Sequence, residues 1–254
     1  MARKSLGSTN DFAAKTANGA MLAHLAEGIL VVADRQTSGR GRLGRAWHSP
    51  AGSNIYMSIA FLPAISQRKS PLLSIAAGLA SALAIKAVTG LDIRLKWPND
   101  LLAGKSKKLG GILLETRFGP GRAQVSVAGI GINVNMPKES FPEDIARTAT
   151  SVFAETGEMA DRNALIAAVC REFGYWLSVL RKEGEKGVQK LLKAYTGISD
   201  TIGRKVKIKA GEMEFEGTAA GIDQEGMLLI KLPGTRQLKR IPAGELQSLR
   251  AARR

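Results

Sequence analysis

The chain has one cysteine, Cys170, and two histidines, His24 and His48, among its 254 residues. That excludes an internal disulfide framework and leaves too few ligands for a Cys/His zinc site. No uninterrupted apolar run approaches the roughly 20 residues needed to cross a bilayer. The opening "MARKSLGSTND" lacks the apolar stretch of a secretory signal. A cytoplasmic protein with no membrane partner is the expectation. No Ser-His-Asp pattern, candidate nucleophilic cysteine or pair of catalytic carboxylates stands out. Cys170 falls on a helix with Val169 and Phe173, a core or helix-surface place. An enzyme built this way works by positioning and neutralising charged substrates rather than through a covalent intermediate.

Acidic residues are also scarce, 22 against 37 Lys and Arg, for a formal charge of +15. The excess biases the protein toward anionic partners. It is spread over "QRKS", "KSKK", "GRKVKIK" and "AARR" rather than gathered into one arm. Only a handful of residues precede "STN", so no helix-turn-helix and no specific DNA partner are expected.

What is present reads as α+β. "STNDFAAKTANG" is a capped helix, with Ser8, Thr9 or Asn10 at its start and Gly19 beyond its end. "GILVVAD" (28–34) and "SNIYMSIAFLP" (53–63) read as strands, and Pro71 opens a long apolar helix closed near Gly90. "LDIRLKWPND", "KKLGGILLETR" and "RAQVSVAGIGINVN" predict an antiparallel meander. Its first two members are joined by "LLAGKS", and Gly119–Pro120–Gly121 turns before the third. Helices follow over 161–182 and over "GVQKLLKAYTG". From about residue 199 short β-like runs alternate with turns, which suits a small barrel of roughly 50 residues. The expected domains are 1–197 and 198–254.

Four motifs carry chemistry. "DRQTSGRGRLGRAWHSP" (34–50) sets Arg35, Arg40, Arg42 and Arg45 among glycines. Glycines let backbone approach a ligand closely, and guanidinium forks suit carboxylate or phosphate, so an ordered loop here binds anions. "LKWPND" places Asn99 and Asp100 past a strand end, where Asp100 can hold Mg²⁺ beside a nucleotide phosphate. "AGKSKKLGG" contains Gly104–Lys105–Ser106, but Asn99 stands where a P-loop needs its first glycine, so a Walker A site is rejected. Lys108 opens a strand beside Gly110 and Gly111. In "VAGIGINVN", Gly129 and Gly131 weaken a strong strand, which calls for a close ligand or a bulge.

"STN", "GRGRLGRAW", "KWPND", "KLGGIL" and "GIGINVN", in this order, resemble the biotin protein ligases, also called biotin–[acetyl-CoA-carboxylase] ligases. The tail from "GIDQEGMLL" to "GELQSLR" resembles the family's SH3-like C-terminal domain. The resemblance implies a mixed or antiparallel catalytic sheet with helices, plus a small SH3-like β-barrel. It implies activation of biotin with ATP and Mg²⁺ to biotinyl-5′-AMP, then transfer to a lysine of a biotin carboxyl carrier domain. By that resemblance Ser8, Thr9, Asn10 and Gln36 bind the biotin head group. Gly39, Arg40, Gly41 and Arg42 form the loop that orders around it, and Gly111, Gly129 and Gly131 let strands pack against it. Lys108, with Arg40 and Arg42, is catalytic and meets the carboxylate and α-phosphate. Arg45, Trp47, Lys96, Asn99, Asp100 and Asn133 line the ATP side, Asp100 near Mg²⁺, and Arg250 reaches the nucleotide from the small domain.

Many relatives carry an N-terminal DNA-binding domain and act as repressors, a function not expected here; a homodimer is left open. Relatives also have a strand before "STN", and "MARKSLG" implies either a reduced strand or a start further upstream. Two other readings compete. Lipoate or octanoate attachment lacks its usual arginine-rich motif and downstream His-Asp. A basic nucleic-acid-binding module leaves "KWPND", "KLGGIL" and "GIGINVN" unexplained.

Overall fold

The computed structural model describes residues 1–18, 28–63, 65–118, 124–210, 212–235, 237–243 and 246–251. Gly19, His24 and the Gly119–Pro120–Gly121 turn lie outside these. A five-residue strand, β1 (Ala2–Leu6), does precede the "STN" helix and runs parallel to β2 (Ile29–Gln36). Between them lies α1 (Thr9–Asn18), whose N-terminus is capped by the Ser8 hydroxyl accepting from the Asp11 N–H at 3.4 Å.

The main sheet is completed by β3 (Ile55–Phe61), β4 (Arg94–Lys96), β5 (Asp100–Ala103), β6 (Lys107–Phe118) and β7 (Gln124–Ile132). Its order is β1-β2-β3-β7-β6-β5-β4, and every pairing except β1–β2 is antiparallel. The meander has four strands from residue 94 onward rather than three. Leu101–Ala103, expected in a connecting loop, form β5, so Trp97–Pro98 (a cis peptide) sits in the turn between β4 and β5. Gly104 and Ser106, with φ of 53° and 58°, turn β5 into β6, and a strand rather than a helix follows the false P-loop.

Strand β3 is buried at every position, so polar–apolar alternation is absent from it. Its two faces meet different layers. Ala60 packs with Ala13 and Ala17 of α1, while Met57, Ile59 and Phe61 face α2 (Pro71–Thr89) and α5 (Arg162–Gly197). Helix α2 opens with Pro71 at its first turn and ends at Gly90, left-handed at φ 73°. It corrects one expectation: by length and composition it is apolar enough to cross a bilayer, yet most of it is buried in this core. Phe173 of α5 meets Phe61 edge-on, with ring centroids 5.5 Å apart. Gly184 breaks α5 with non-helical φ 56° and ψ −124°, separating the two helical stretches read from the sequence. Cys170 is half-buried against the core, and burial pushes its thiol pKa up.

Between β7 and α5 run two short helices, α3 (Glu143–Ala146) and α4 (Val152–Thr156). After α5, strands β8 (Lys205–Ala210), β9 (Met213–Ile222), β10 (Leu228–Lys231), β11 (Leu238–Ile241) and β12 (Leu246–Ala251) form a five-stranded antiparallel sheet. Its order is β11-β10-β9-β8-β12, with register shifts in β10 and β12. Val206, Ile208, Ala219, Leu228, Ile230 and Ile241 pack there around Trp97, 1% exposed, whose indole N–H donates to Gly226 O at 3.1 Å.

Candidate active site

A cavity of about 410 Å³ opens on the α1 side of the main sheet, within the range of small-molecule sites. Of the described residues expected at the site, all but Gly39 and the loop's Arg35 stand on its wall. Gly39 sits instead in a tight turn, where a Cβ would lie 2.6 Å from Ser49 Oγ and 2.7 Å from Trp47 O. Arg250 lies on β12, and its side chain is outside the described residues.

One end of the cavity is neutral and polar. The Gln36 carboxamide oxygen accepts from the Thr9 N–H at 2.8 Å and the Thr9 hydroxyl at 3.1 Å. The buried Ser58 hydroxyl is 2.8 Å from Thr9 Oγ1 and donates to Asn10 Oδ1 at 2.6 Å. The Asn10 amide in turn donates to Glu115 Oε2 at 2.8 Å and to Leu113 O at 3.3 Å. These side chains are held in place by one another, so the end is preorganised. Ser58 and Glu115 were missed in the sequence. A serine inside the otherwise apolar "IYMSIAF" was the available signal.

The glycines of β6 and β7 have a different immediate use from the one expected. A Cβ on Gly129 would strike the Asn10 carboxamide, and one on Gly131 would lie 2.7 Å from the Trp47 indole. They make room for this protein's own side chains. Gly111 is less crowded, with Lys108 and Trp47 atoms 3.5–3.7 Å from its missing Cβ. The Trp47 indole nitrogen is buried without a hydrogen-bond partner, and Lys108 Nζ lies 5.5 Å from the ring centroid.

The other end is cationic. Arg42, Arg45, Lys96 and Lys108 reach the wall there, against a single carboxylate, Asp100, while Arg40 lines the cavity on the α1 side, paired with Asp11. Lys108 is fixed through its backbone, donating to Thr148 O at 2.7 Å and accepting from the Thr150 N–H at 2.9 Å. Its ammonium lies 2.6 Å from Asp100 Oδ1. Asn99 donates to Ile112 O at 3.0 Å and accepts from Arg42 at 3.4 Å, and a second Arg42 nitrogen donates to Ala243 O. Burial lowers the Arg42 pKa, with the Asp100 carboxylate acting in the opposite sense and the Arg45 charge adding to the shift. Asn133 ties Thr150 O to β7 at 3.0 Å, so its amide supports the wall formed by Phe141, Ile145, Thr148 and Ala149.

The arginine loop is a small hairpin. Arg40 bridges Ala46, Gly41 N–H donates to Arg45 O at 2.7 Å, and Trp47 N–H to Gly39 O at 2.9 Å. Its tip carries Leu43 at φ 56° and Gly44 at φ 71°. Both terminal nitrogens of Arg40 are bound to the Asp11 carboxylate, at 2.6 and 2.7 Å.

Residues 4–134 match the biotin/lipoate A/B protein ligase family, and residues 201–247 match the biotin protein ligase C-terminal domain. A biotin–[acetyl-CoA-carboxylase] ligase of Mycobacterium tuberculosis is 33% identical over 250 residues, 96% of this chain and 86% of that relative. The chain belongs to the biotin protein ligase family. A second relative, the bifunctional ligase/repressor BirA of Bacillus spizizenii, is 38% identical over 81% of this chain. The chain spans 62% of that relative's length. Among solved structures, the biotin protein ligase of Aquifex aeolicus in complex with biotin and ATP superposes with a TM-score of 0.80. It is 30% identical, covering 99% of this chain and 98% of that one. The fold found here is thus shared by that member of the family.

Proposed function

We propose that the protein is a biotin–[acetyl-CoA-carboxylase] ligase, which joins biotin to ATP and passes it to a carrier lysine. The observation that carries this is the two-ended cavity in a biotin protein ligase fold. A neutral, hydrogen-bonding end lies beside one where Arg42, Arg45, Lys96 and Lys108 surround one carboxylate, Asp100. Biotin has that polarity, an uncharged ureido ring at one end and a carboxylate at the other. Thr9, Asn10 and Gln36, with Ser8, take the ring, and the valeryl chain runs past Gly111, Gly129 and Gly131.

In the first step a carboxylate oxygen of biotin attacks the α-phosphorus of ATP. The bond to the bridging oxygen breaks and pyrophosphate leaves, giving biotinyl-5′-AMP. Two anions must approach, so Lys108 and Arg42 act by neutralising them at fixed positions, where preorganised charge is most effective. Arg45, Trp47, Lys96, Asn99 and Asn133 hold the nucleotide side. In the second step a lysine amine of a biotin carboxyl carrier domain attacks the acyl carbon, and AMP leaves. The hairpin over the mixed anhydride keeps water from competing for it.

Mg²⁺ fits this site in one way. Among the described residues no three His, Cys, Asp or Glu side chains come together, and Asp100 is the carboxylate on the cavity wall that would hold the cation beside the nucleotide phosphates. That is the usual Mg²⁺ pattern of one or two carboxylates completed by substrate. The metal would supply charge neutralisation at the phosphates.

The small C-terminal sheet is read as the SH3-like domain of the family, beginning near residue 198, and the register shifts in β10 and β12 supply the curvature such a fold needs. A single cysteine supports a cytoplasmic setting. The test is ATP–pyrophosphate exchange in Mg²⁺ buffer with no acid, with biotin, and with lipoate or octanoate. Exchange with biotin alone is expected. Exchange only with lipoate or octanoate would move the protein to the sister activity, and none with any acid would overturn the ligase reading.

A further inference from the structure

We propose that Glu115 is a positioning residue, which sets the hydrogen-bond polarity of the neutral end of the cavity through Asn10, so that this end selects a ligand bringing an N–H. Three strands and a helix build the arrangement. Ser58 of β3 and Leu113 of β6 both lie opposite Gly129 of β7. The Asn10 carboxamide of α1 covers that row, in the space a side chain at Gly129 would need. Glu115 stands two residues beyond Leu113, on the same face of β6. Asn10 and Ser58 are buried, so their polar atoms must satisfy one another.

The direction of each bond follows from what each group can give. A carboxylate and a backbone carbonyl only accept. The Asn10 nitrogen therefore faces Glu115 Oε2 at 2.8 Å and Leu113 O at 3.3 Å, which turns its oxygen toward Ser58. Ser58 has one proton, and gives it to Asn10 Oδ1 at 2.6 Å. Thr9 Oγ1 lies 2.8 Å from Ser58 Oγ and 3.1 Å from Gln36 Oε1. It receives no proton from Ser58, and its own is held between those two oxygens. Thr9 thus brings to the cavity wall an oxygen with a lone pair to offer and no proton. Of the two groups on the Asn10 nitrogen, Glu115 is the closer and the charged one, which makes its bond the stronger. Arg117 lies 3.3 Å from the other carboxylate oxygen, so Oε2 is the one turned to Asn10. Glu115 acts on a ligand only through this relay. For biotin, the substrate of the ligase proposed above, on which this consequence rests, the selected donor is a ureido N–H.

The test uses the full chain. Calorimetry without ATP compares biotin with its two cyclic carbamate analogues, each with one ureido N–H replaced by oxygen. The analogue lacking the N–H that meets Thr9 is expected to bind the wild type ~10-fold or more weakly than biotin, the factor for a lost hydrogen bond with two acceptors left facing each other. Glu115→Ala is expected to shrink that penalty severalfold, and Glu115→Gln, whose carbonyl still accepts from Asn10, to keep most of it. A merely structural role would weaken biotin and both analogues together and leave their ratio unchanged. Proton–nitrogen NMR without added acid reads the Asn10 side-chain amide separately, assigned by its loss in Asn10→Ser. One of its protons is expected downfield in the wild type and Glu115→Gln, and to move upfield in Glu115→Ala. No penalty with either analogue in the wild type, or a penalty unchanged in Glu115→Ala, would overturn the proposal. So would an Asn10 amide unmoved by Glu115→Ala. A wild type that binds no biotin would count against the ligase reading, and the Asn10 amide would still decide whether Glu115 sets the polarity.

Discussion

The Lys108 ammonium rests 2.6 Å from the Asp100 carboxylate, across the β5–β6 pairing. The register shift between Leu101 and Leu102 lets residues from adjacent strands converge here. Asp100 keeps the ammonium at the cavity wall, where an incoming phosphate can compete for it. Lys108→Ala is expected to cut pyrophosphate exchange ~10²–10³-fold, the cost of removing one preorganised donor. Near-normal exchange in the variant would take Lys108 off the catalytic list.

Arg42 is the part of the hairpin that crosses to the opposite wall. Arg42→Gly removes both its hydrogen bonds to Asn99 and Ala243 and a charge facing the adenylate. Release of biotinyl-5′-AMP is expected to rise ~10-fold or more, while its formation falls less, because a charged hydrogen bond is worth roughly 1.5–3 kcal/mol. Rapid filtration of the labelled intermediate measures this. Unchanged release would count against a retaining role.

Gly131 faces the Trp47 indole, which a Cβ would meet at 2.7 Å. Gly131→Ala is expected to displace that ring and raise KM for ATP severalfold, with a cost of about 1–3 kcal/mol from overpacking. Initial-rate kinetics together with tryptophan fluorescence would show it. A variant with an unaltered KM and spectrum would mean that Trp47 moves aside freely.

The sequence made the motif glycines and cations visible, because each departs from what its element would otherwise contain. Gly129 and Gly131 weaken a strand, and three arginines crowd a turn. What these residues face is set by pairing between distant strands, so Asn10 filling the space at Gly129 was out of reach. Alternation failed for β3 because both its faces are covered, and β5 was missed because four residues carry too little periodicity. Asp11 reads in isolation as an acid that suits a helix N-terminus. Its partner is 29 residues away, and only the fold joins them. Ser58 shows the converse, since one polar residue in an apolar strand already marks a place where something must be bound.

Asp34, at the end of β2, ties that strand to α5 and to the 50–54 turn. It accepts from Arg162 at 2.8 Å and from the Gly52 N–H at 3.1 Å. The Arg162 hydrogen bond, opposed by partial burial and aided by Gly52, holds its pKa below the ordinary 3.8. A depressed carboxylate pKa stabilises the fold fully above the unfolded value, where both states are ionised. As pH falls, the unfolded chain takes up its proton first, and the benefit is lost as pH passes through the folded value. Asp34→Asn removes this contribution. The stability gap between wild type and variant, from urea midpoints, is therefore expected to be constant from pH 7 to about 5 and to shrink toward about pH 3. A gap that stays the same across that lower range would show that the Asp34–Arg162 pair contributes no proton-linked stability.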